Sequence, residues 1–226
     1  MAGLIVALDT ADVDQARAWA GVLAPYCGML KFGLEFVLAQ GPVGVRAVTD
    51  RPVFLDLKLH DIPNTVAGAI RAVLPLRPRM LTIHAGGGSA MVEAARQAVD
   101  AAEDAPLLLA VTVLTSLDSS ALHATGVAGG PRQQVLRLAR LALDAGADGI
   151  VCSAHEASML RDALGAGPVL VVPGIRPLGS AAGDQARTMA PREAVDAGAD
   201  WIVVGRPITG SADPAAAAAA IMAEIA

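Results

Sequence analysis

An α/β chain closed into one parallel barrel is the fold the sequence predicts, and three observations carry that expectation. Short apolar, β-branched runs recur eight times along the 226 residues. Each is followed by a segment whose apolar residues fall at helical spacing, and no two runs sit close enough together to form a hairpin. The runs are continuously apolar, which suits strands buried on both faces of a parallel sheet. Eight such units in a chain of this length favour a (β/α)8 TIM barrel over an open doubly wound sheet.

The expected strands are Leu4–Leu8, Met29–Phe32, Val53–Leu57, Met80–Ile83, Leu107–Val113, Gly149–Cys152, Val169–Val172 and Trp201–Val204. Between them, amphipathic helices are expected over Val13–Leu23, Thr65–Leu74, Ala90–Ala102, Gln133–Ala145 and Ala154–Leu164. A last helix, Ala215–Ile225, is introduced by Asp213-Pro214, an N-cap followed by proline at the first helical turn. No linker, low-complexity tail or strong short repeat divides the chain, so residues 1–226 read as a single barrel domain.

Composition narrows the function classes. Seventeen Lys+Arg against 22 Asp+Glu gives 17 − 22 = −5, which argues against a nucleic-acid or anionic-membrane surface. The mean hydropathy of +0.52 is inflated by alanine and valine. No run approaches the roughly 18 uninterrupted apolar residues of a spanning helix. Met1-Ala2-Gly3 enters an apolar segment without a basic region, so no removable signal peptide is expected. Cys27 and Cys152 form no metal or redox spacing and read as reduced core thiols, which fits a cytoplasmic protein. His60, His123 and His155 have no ligand spacing, so no metal site is expected. His84 precedes Ala85-Gly86-Gly87-Gly88, read as a tight backbone passage after the fourth strand.

In a barrel of this kind the chemistry sits at the C-terminal ends of the strands. Those positions hold Asp9, Lys31, Asp56 with Lys58, His84, Thr112 to Thr115, Cys152 to His155, Arg176 and Gly205-Arg206. The lysines are the sharpest clue. Only Lys31 and Lys58 occur in the chain; the remaining 17 − 2 = 15 basic residues are arginines. Arginine does not give up a proton near neutral pH, whereas a lysine ammonium is tunable. Strand alternation places Asp56 and Lys58 on one side, as it does Ile5, Ala7 and Asp9, and Met29 with Lys31. If those sides face inward, two ammoniums and two carboxylates converge at the barrel mouth. A buried ion-pair network is weak evidence for stability, which favours a functional reading.

The segment Asp56-x-Lys58-x-x-Asp61-Ile62-x-Asn64-Thr65 resembles the signature of the orotidine 5'-phosphate decarboxylase family. The resemblance extends in order through Leu8-Asp9, Lys31-Phe32-Gly33, Val113-Leu114-Thr115-Ser116, Pro173-Gly174-Ile175-Arg176 and Val204-Gly205-Arg206-Pro207-Ile208-Thr209. It implies cofactor-independent decarboxylation of orotidine 5'-phosphate to uridine 5'-phosphate, with Lys58 protonating C6 as carbon dioxide leaves. Asp56 would lie beside the substrate carboxylate, and Lys31, Asp56, Lys58 and Asp61 would form an alternating charge array. Asp61, Ile62 and Thr65 would come from the partner subunit of a homodimer. Asp9 and Lys31 would contact the ribose, and Thr115 the pyrimidine end. Gly205 and Arg206 would hold the 5'-phosphate after the eighth strand, with Arg176 and Gln185 flanking a lid over residues 177–184.

Two departures from the pattern touch only loops: Pro63 within the signature, and the Gly126-Val127-Ala128-Gly129-Gly130 insertion. Related keto-sugar-phosphate decarboxylases and hexulose-phosphate synthases use magnesium and an acidic ligand after the second strand. Lys31 occupies that position here, and a cation there repels Mg²⁺. A Schiff-base aldolase needs a neutral amine, whereas Asp56 and Asp61 would keep Lys58 charged. A barrel that only binds phosphosugars would not require the full charged set.

Overall fold

The computed structural model describes residues 2–177 and 189–226. Eight strands close into a barrel in chain order: β1 (Gly3–Ala7), β2 (Met29–Gly33), β3 (Val53–Leu59), β4 (Met80–His84), β5 (Leu107–Val111), β6 (Gly149–Val151), β7 (Val169–Val172) and β8 (Trp201–Val204). All pairings are parallel, and β8 returns to β1 with Gly3 opposite Trp201 and Val6 opposite Val204. Closure leaves no unpaired edge. The fold is the expected (β/α)8 TIM barrel, with strand limits moved by one or two residues.

Helices surround it: α1 (Val13–Leu23), α2 (Leu34–Val48), α3 (Pro63–Val73), α4 (Ser89–Asp100), α5 (Ser119–Ala124), α6 (Pro131–Asp144), α7 (Ala154–Leu164), α8 (Pro191–Asp196), α9 (Arg206–Thr209) and α10 (Pro214–Ile225). Their starts follow from local chemistry. Asp12 caps α1 by accepting the Asp14 and Gln15 N–H groups at 2.8 and 3.1 Å, and Asp213 caps α10 through Ala216 at 3.0 Å. Pro63 sits in the first turn of α3, where its missing N–H is no loss, so this departure from the signature is a helix start. Helix α2 is bent at Gly41 (φ 63°, ψ −175°), followed by Pro42 inside the helix. The bend interrupts the apolar spacing, which is why periodicity alone passes over this helix.

Strand alternation sorts the side chains into two cores. Ile5, Ala7, Met29, Phe54, Met80, Leu109, Val171 and Val203 fill the lumen. Leu4, Val6, Leu30, Leu55, Leu81, Leu108, Ile202 and their neighbours pack outward against the helices. Trp201 stands at the N-terminal end of β8 and packs on the lumen set. A Cβ on Gly3 would fall 2.2 Å from its ring, and one on Gly28 would fall 2.8 Å away. Both positions need glycine for space. Gly28→Ala is expected to destabilise the barrel by about 1–3 kcal/mol through overpacking. A urea midpoint equal to that of the wild type would show that the indole yields freely.

One expectation needs correction, because a short repeat does exist. Asp144-Ala145-Gly146-Ala147-Asp148 recurs as Asp196-Ala197-Gly198-Ala199-Asp200, two βα units later. Each copy performs one task. Asp148 accepts the Leu108 N–H at 2.7 Å and pairs with Arg96 at 2.8 Å, while Asp200 accepts the Leu170 N–H at 2.8 Å and pairs with Arg161 at 2.6 Å. The preceding glycines adopt φ 100° and 105°, a region open to glycine and strained for other residues. The repeat ties a helix to the start of a neighbouring strand and does not divide the chain.

Candidate active site

The C-terminal mouth of the barrel holds a cavity of about 490 Å³ lined by Ala7, Asp9, Lys31, Glu35, Asp56, Pro173, Gly174, Arg176, Val203, Gly205 and Arg206. Its floor is charged. The Lys31 side chain, 10% exposed, reaches up from β2, with Nζ 3.1 Å from Asp9 Oδ1 and 3.5 Å from Asp56 Oδ2. The other Asp56 oxygen receives Lys58 Nζ at 2.7 Å. One carboxylate, 14% exposed, thus bridges two ammoniums. Burial pushes the Asp56 carboxyl pKa up, but the Lys31 and Lys58 ammoniums and hydrogen bonds from Lys58 and Thr82 outweigh it and hold the group below its ordinary value. Gly33 leaves room for this cluster, since a Cβ there would lie 3.2 Å from Lys31 Nζ.

Lys58 meets Asp56 as expected, but simple alternation is not the whole cause. The β3–β4 register shifts between Leu55 and Leu59, and Lys58 itself adopts φ 48°. This is a bulge with a non-glycine residue in the left-handed region, a strained arrangement that re-aims a side chain beside a site. The bulge also takes the Lys58 N–H out of the ladder, and it donates to Thr82 Oγ1 at 2.8 Å. Thr82 in turn donates to Asp56 Oδ1 at 3.1 Å. Sequence reasoning missed Thr82. Its signal was a lone hydroxyl in the apolar run Met80–His84, two residues before the strand end and on the inward side. Glu35, in the first turn of α2, was also missed.

A smaller hollow of about 60 Å³ adjoins Lys58, between Val111, Val113, Leu114, Thr115, Val151, Cys152 and Pro173. Its walls are mainly apolar, and Thr115 stands in them as expected at the end of the fifth unit. Complete burial pushes the Cys152 thiol far up, which keeps it protonated and inert. His84 lies half-buried at the rim, its ring stacked on His60 with centroids 4.9 Å apart. Burial, then the nearby His60 and Lys58, lower the His84 pKa, and its Nδ1 accepts the Gly86 N–H at 3.0 Å. Gly87 lies close against Met91, whose Sδ would be 2.1 Å from a Cβ there, in keeping with a tight backbone passage.

Arg176 and Arg206 face the cavity from the ends of the seventh and eighth units. Burial lowers the Arg176 pKa and the neighbouring Arg206 charge lowers it further. Two guanidiniums brought together suit an anion between them. Gly205 lies alongside, and a Cβ there would come 3.4 Å from Asp9 Oδ2. Gln185 lies outside the described residues, as does most of the loop expected to act as a lid.

Asp61, Ile62 and Thr65 do not join the cluster of their own chain. Asp61 accepts the Ile62 N–H at 2.7 Å, and all three residues are exposed, Ile62 by 67%. Of the four charges expected to alternate, three are joined within the chain. A cavity of about 520 Å³ opens on the opposite face of the barrel beside Arg46, Arg51, Arg77, Arg79, Asp50 and Asp104. Its arginines are all exposed and none of the expected site residues lies there, so the charged mouth remains the candidate site.

Residues 2–221 match the orotidine 5'-phosphate decarboxylase / HUMPS family. The chain belongs to that family. Curated relatives include an orotidine 5'-phosphate decarboxylase of Gluconobacter oxydans, 57% identical over 99% of this chain and 97% of its own length. Another, from Anaeromyxobacter sp. (strain K), is 57% identical over 97% of this chain and 96% of its own. Among solved structures, the orotidine 5'-phosphate decarboxylase of Lactobacillus acidophilus superposes with a TM-score of 0.88 at 36% identity, covering 100% of this chain and 99% of that one. Membership in the family agrees with the ordered motifs read from the sequence. No helix of the described residues is long and apolar enough to cross a membrane.

Proposed function

We propose that this chain decarboxylates orotidine 5'-phosphate to uridine 5'-phosphate, the last step of de novo pyrimidine (UMP) biosynthesis, as a single catalytic domain over residues 1–226. The observation that carries the reading is the Asp56 carboxylate held between the Lys31 and Lys58 ammoniums. The relatives' names give the substrate. In the step proposed, the bond from C6 to the carboxyl carbon breaks and carbon dioxide departs. The electron pair remains at C6, and a Lys58 proton forms the new C6–H bond. The lysine is left as a neutral amine, to be reprotonated by solvent. An ammonium fixed where negative charge develops supplies electrostatic stabilisation without a cofactor electron sink.

Asp56 keeps Lys58 charged and aimed, and stands beside the substrate carboxylate. Asp9 and Lys31 take the ribose hydroxyls, and Thr115 borders the ring. Arg206, Arg176, Gln185 and the Gly205 backbone take the phosphate. Asp61, Ile62 and Thr65 complete the partner's site in a homodimer. All three are exposed on their own chain, which leaves them available to a second copy. The protein works in the cytoplasm. The metal-dependent rival is disfavoured by Lys31, whose ammonium occupies the space between Asp9 and Asp56.

The test is an ultraviolet assay of orotidine 5'-phosphate turnover by purified protein after exhaustive chelation. Full turnover is expected. Loss of turnover restored only by Mg²⁺ would favour the rival. Arg206→Ala is expected to raise KM by about 10–100-fold, the loss of a charge-assisted phosphate contact. An unchanged KM would remove Arg206 from the phosphate site.

A further inference from the structure

We infer that Thr82 is a positioning residue of this site: its hydroxyl, set between the Lys58 N–H and the Asp56 carboxylate, holds both groups in register. The inference rests on the reading of Lys58 and Asp56 as the reacting pair and extends it to a residue of the fourth strand.

Thr82 is completely buried on the inward side of β4. Its adjacent residues along the strand, Leu81 and Ile83, are apolar and the hydroxyl is buried, so it needs partners, and both of its partners belong to β3 at the bulge. The register shift deprives the Lys58 N–H of a ladder acceptor. A buried N–H left unpaired is destabilising, and a left-handed lysine adds backbone strain. The hydroxyl has one proton to give and lone pairs to offer, so it serves both needs together. It accepts from Lys58 N at 2.8 Å and donates to Asp56 Oδ1 at 3.1 Å.

Asp56 Oδ1 is also the oxygen that takes Lys58 Nζ at 2.7 Å. A closed circuit results: Lys58 backbone to Thr82, Thr82 to Asp56, and Asp56 back to the Lys58 ammonium. The circuit couples the backbone that launches the lysine to the carboxylate that aims it. It also turns Oδ2 of the same carboxylate toward Lys31 at 3.5 Å. A β-branched side chain suits the task, because its stiff χ1 fixes the hydroxyl direction. Valine has nearly the same shape and cannot close the circuit.

The experiment compares Thr82→Val and Thr82→Ser with the wild type in kcat and KM for orotidine 5'-phosphate, with thermal melts alongside. Thr82→Val is expected to lose about 10–100-fold in kcat with KM within about threefold, and Thr82→Ser to stay within about threefold of the wild-type kcat. If Thr82→Val does not fold, Thr82→Ala takes its place, with the same expected loss. Wild-type kcat in the valine or alanine variant would overturn the inference. So would a loss confined to KM, or a serine variant as slow as the valine one. A wild-type protein that turns over no orotidine 5'-phosphate overturns the functional reading itself, and Thr82's part in it. An active wild type with indifferent Thr82 variants overturns only the inference.

Discussion

Lys58→Ala is expected to lower kcat by roughly 10⁴-fold, the upper range of what a positioned general acid supplies, while KM for the substrate stays within about threefold. The loss should lie at the upper end because, in the step proposed, one ammonium would serve twice: delivering the proton and offsetting the charge building on carbon. Lys58→Arg should not restore the rate, since a guanidinium keeps the charge but holds its proton. The fold should survive, because Lys31 remains within 3.5 Å of Asp56 when Lys58 is gone. Steady-state kinetics with a circular-dichroism melt check both halves. A variant with near wild-type kcat would move the proton donor elsewhere.

Asp56→Ala is expected to damage stability as well as rate. Removing one member of a largely buried ion cluster leaves one ammonium uncompensated, a loss of at most about 3–5 kcal/mol, reduced by the partial exposure of Lys58. Lys31 keeps Asp9 at 3.1 Å, whereas the Lys58 ammonium loses its 2.7 Å partner. The pH dependence has a definite sign. Burial raises the Asp56 carboxyl pKa, but Lys31, Lys58 and Thr82 bring the net folded value below the ordinary one. A carboxylate depressed in this way contributes stability in full above its unfolded pKa, about 4, and loses it as pH falls through the folded value. The wild type should therefore lose stability more steeply than Asp56→Ala below about pH 4. Urea midpoints measured from pH 7 downward test this. Parallel curves for the two proteins would mean that the cluster contributes nothing to folding.

The barrel was legible because strands buried on both faces leave continuous apolar runs, and the polar residues that follow most of those runs mark the mouth. Asp9, Lys31, Asp56 and Lys58 are legible in that way from the sequence. Helix α2 was harder to read, since the bend at Gly41 and Pro42 breaks the periodicity on which such a reading depends. The left-handed backbone at Lys58 was illegible for a different reason. Nothing in a lysine within a strand announces φ 48°, which accompanies the register shift against β4. Thr82 went unnoticed because a lone threonine is ordinary in a strand, and its meaning comes from two hydrogen bonds across to β3. Asp61, Ile62 and Thr65 are exposed surface residues within one chain, and the part proposed for them requires a second copy.

The most direct measurement is the separation of Lys58 Nζ from C6 of the pyrimidine in a crystal of the protein with bound uridine 5'-phosphate. A separation of about 3–3.5 Å, with the phosphate at Arg206 and Asp56 still on Lys58, is the result expected. A lysine turned away from the ring, or a nucleotide lodged outside the charged mouth, would contradict it.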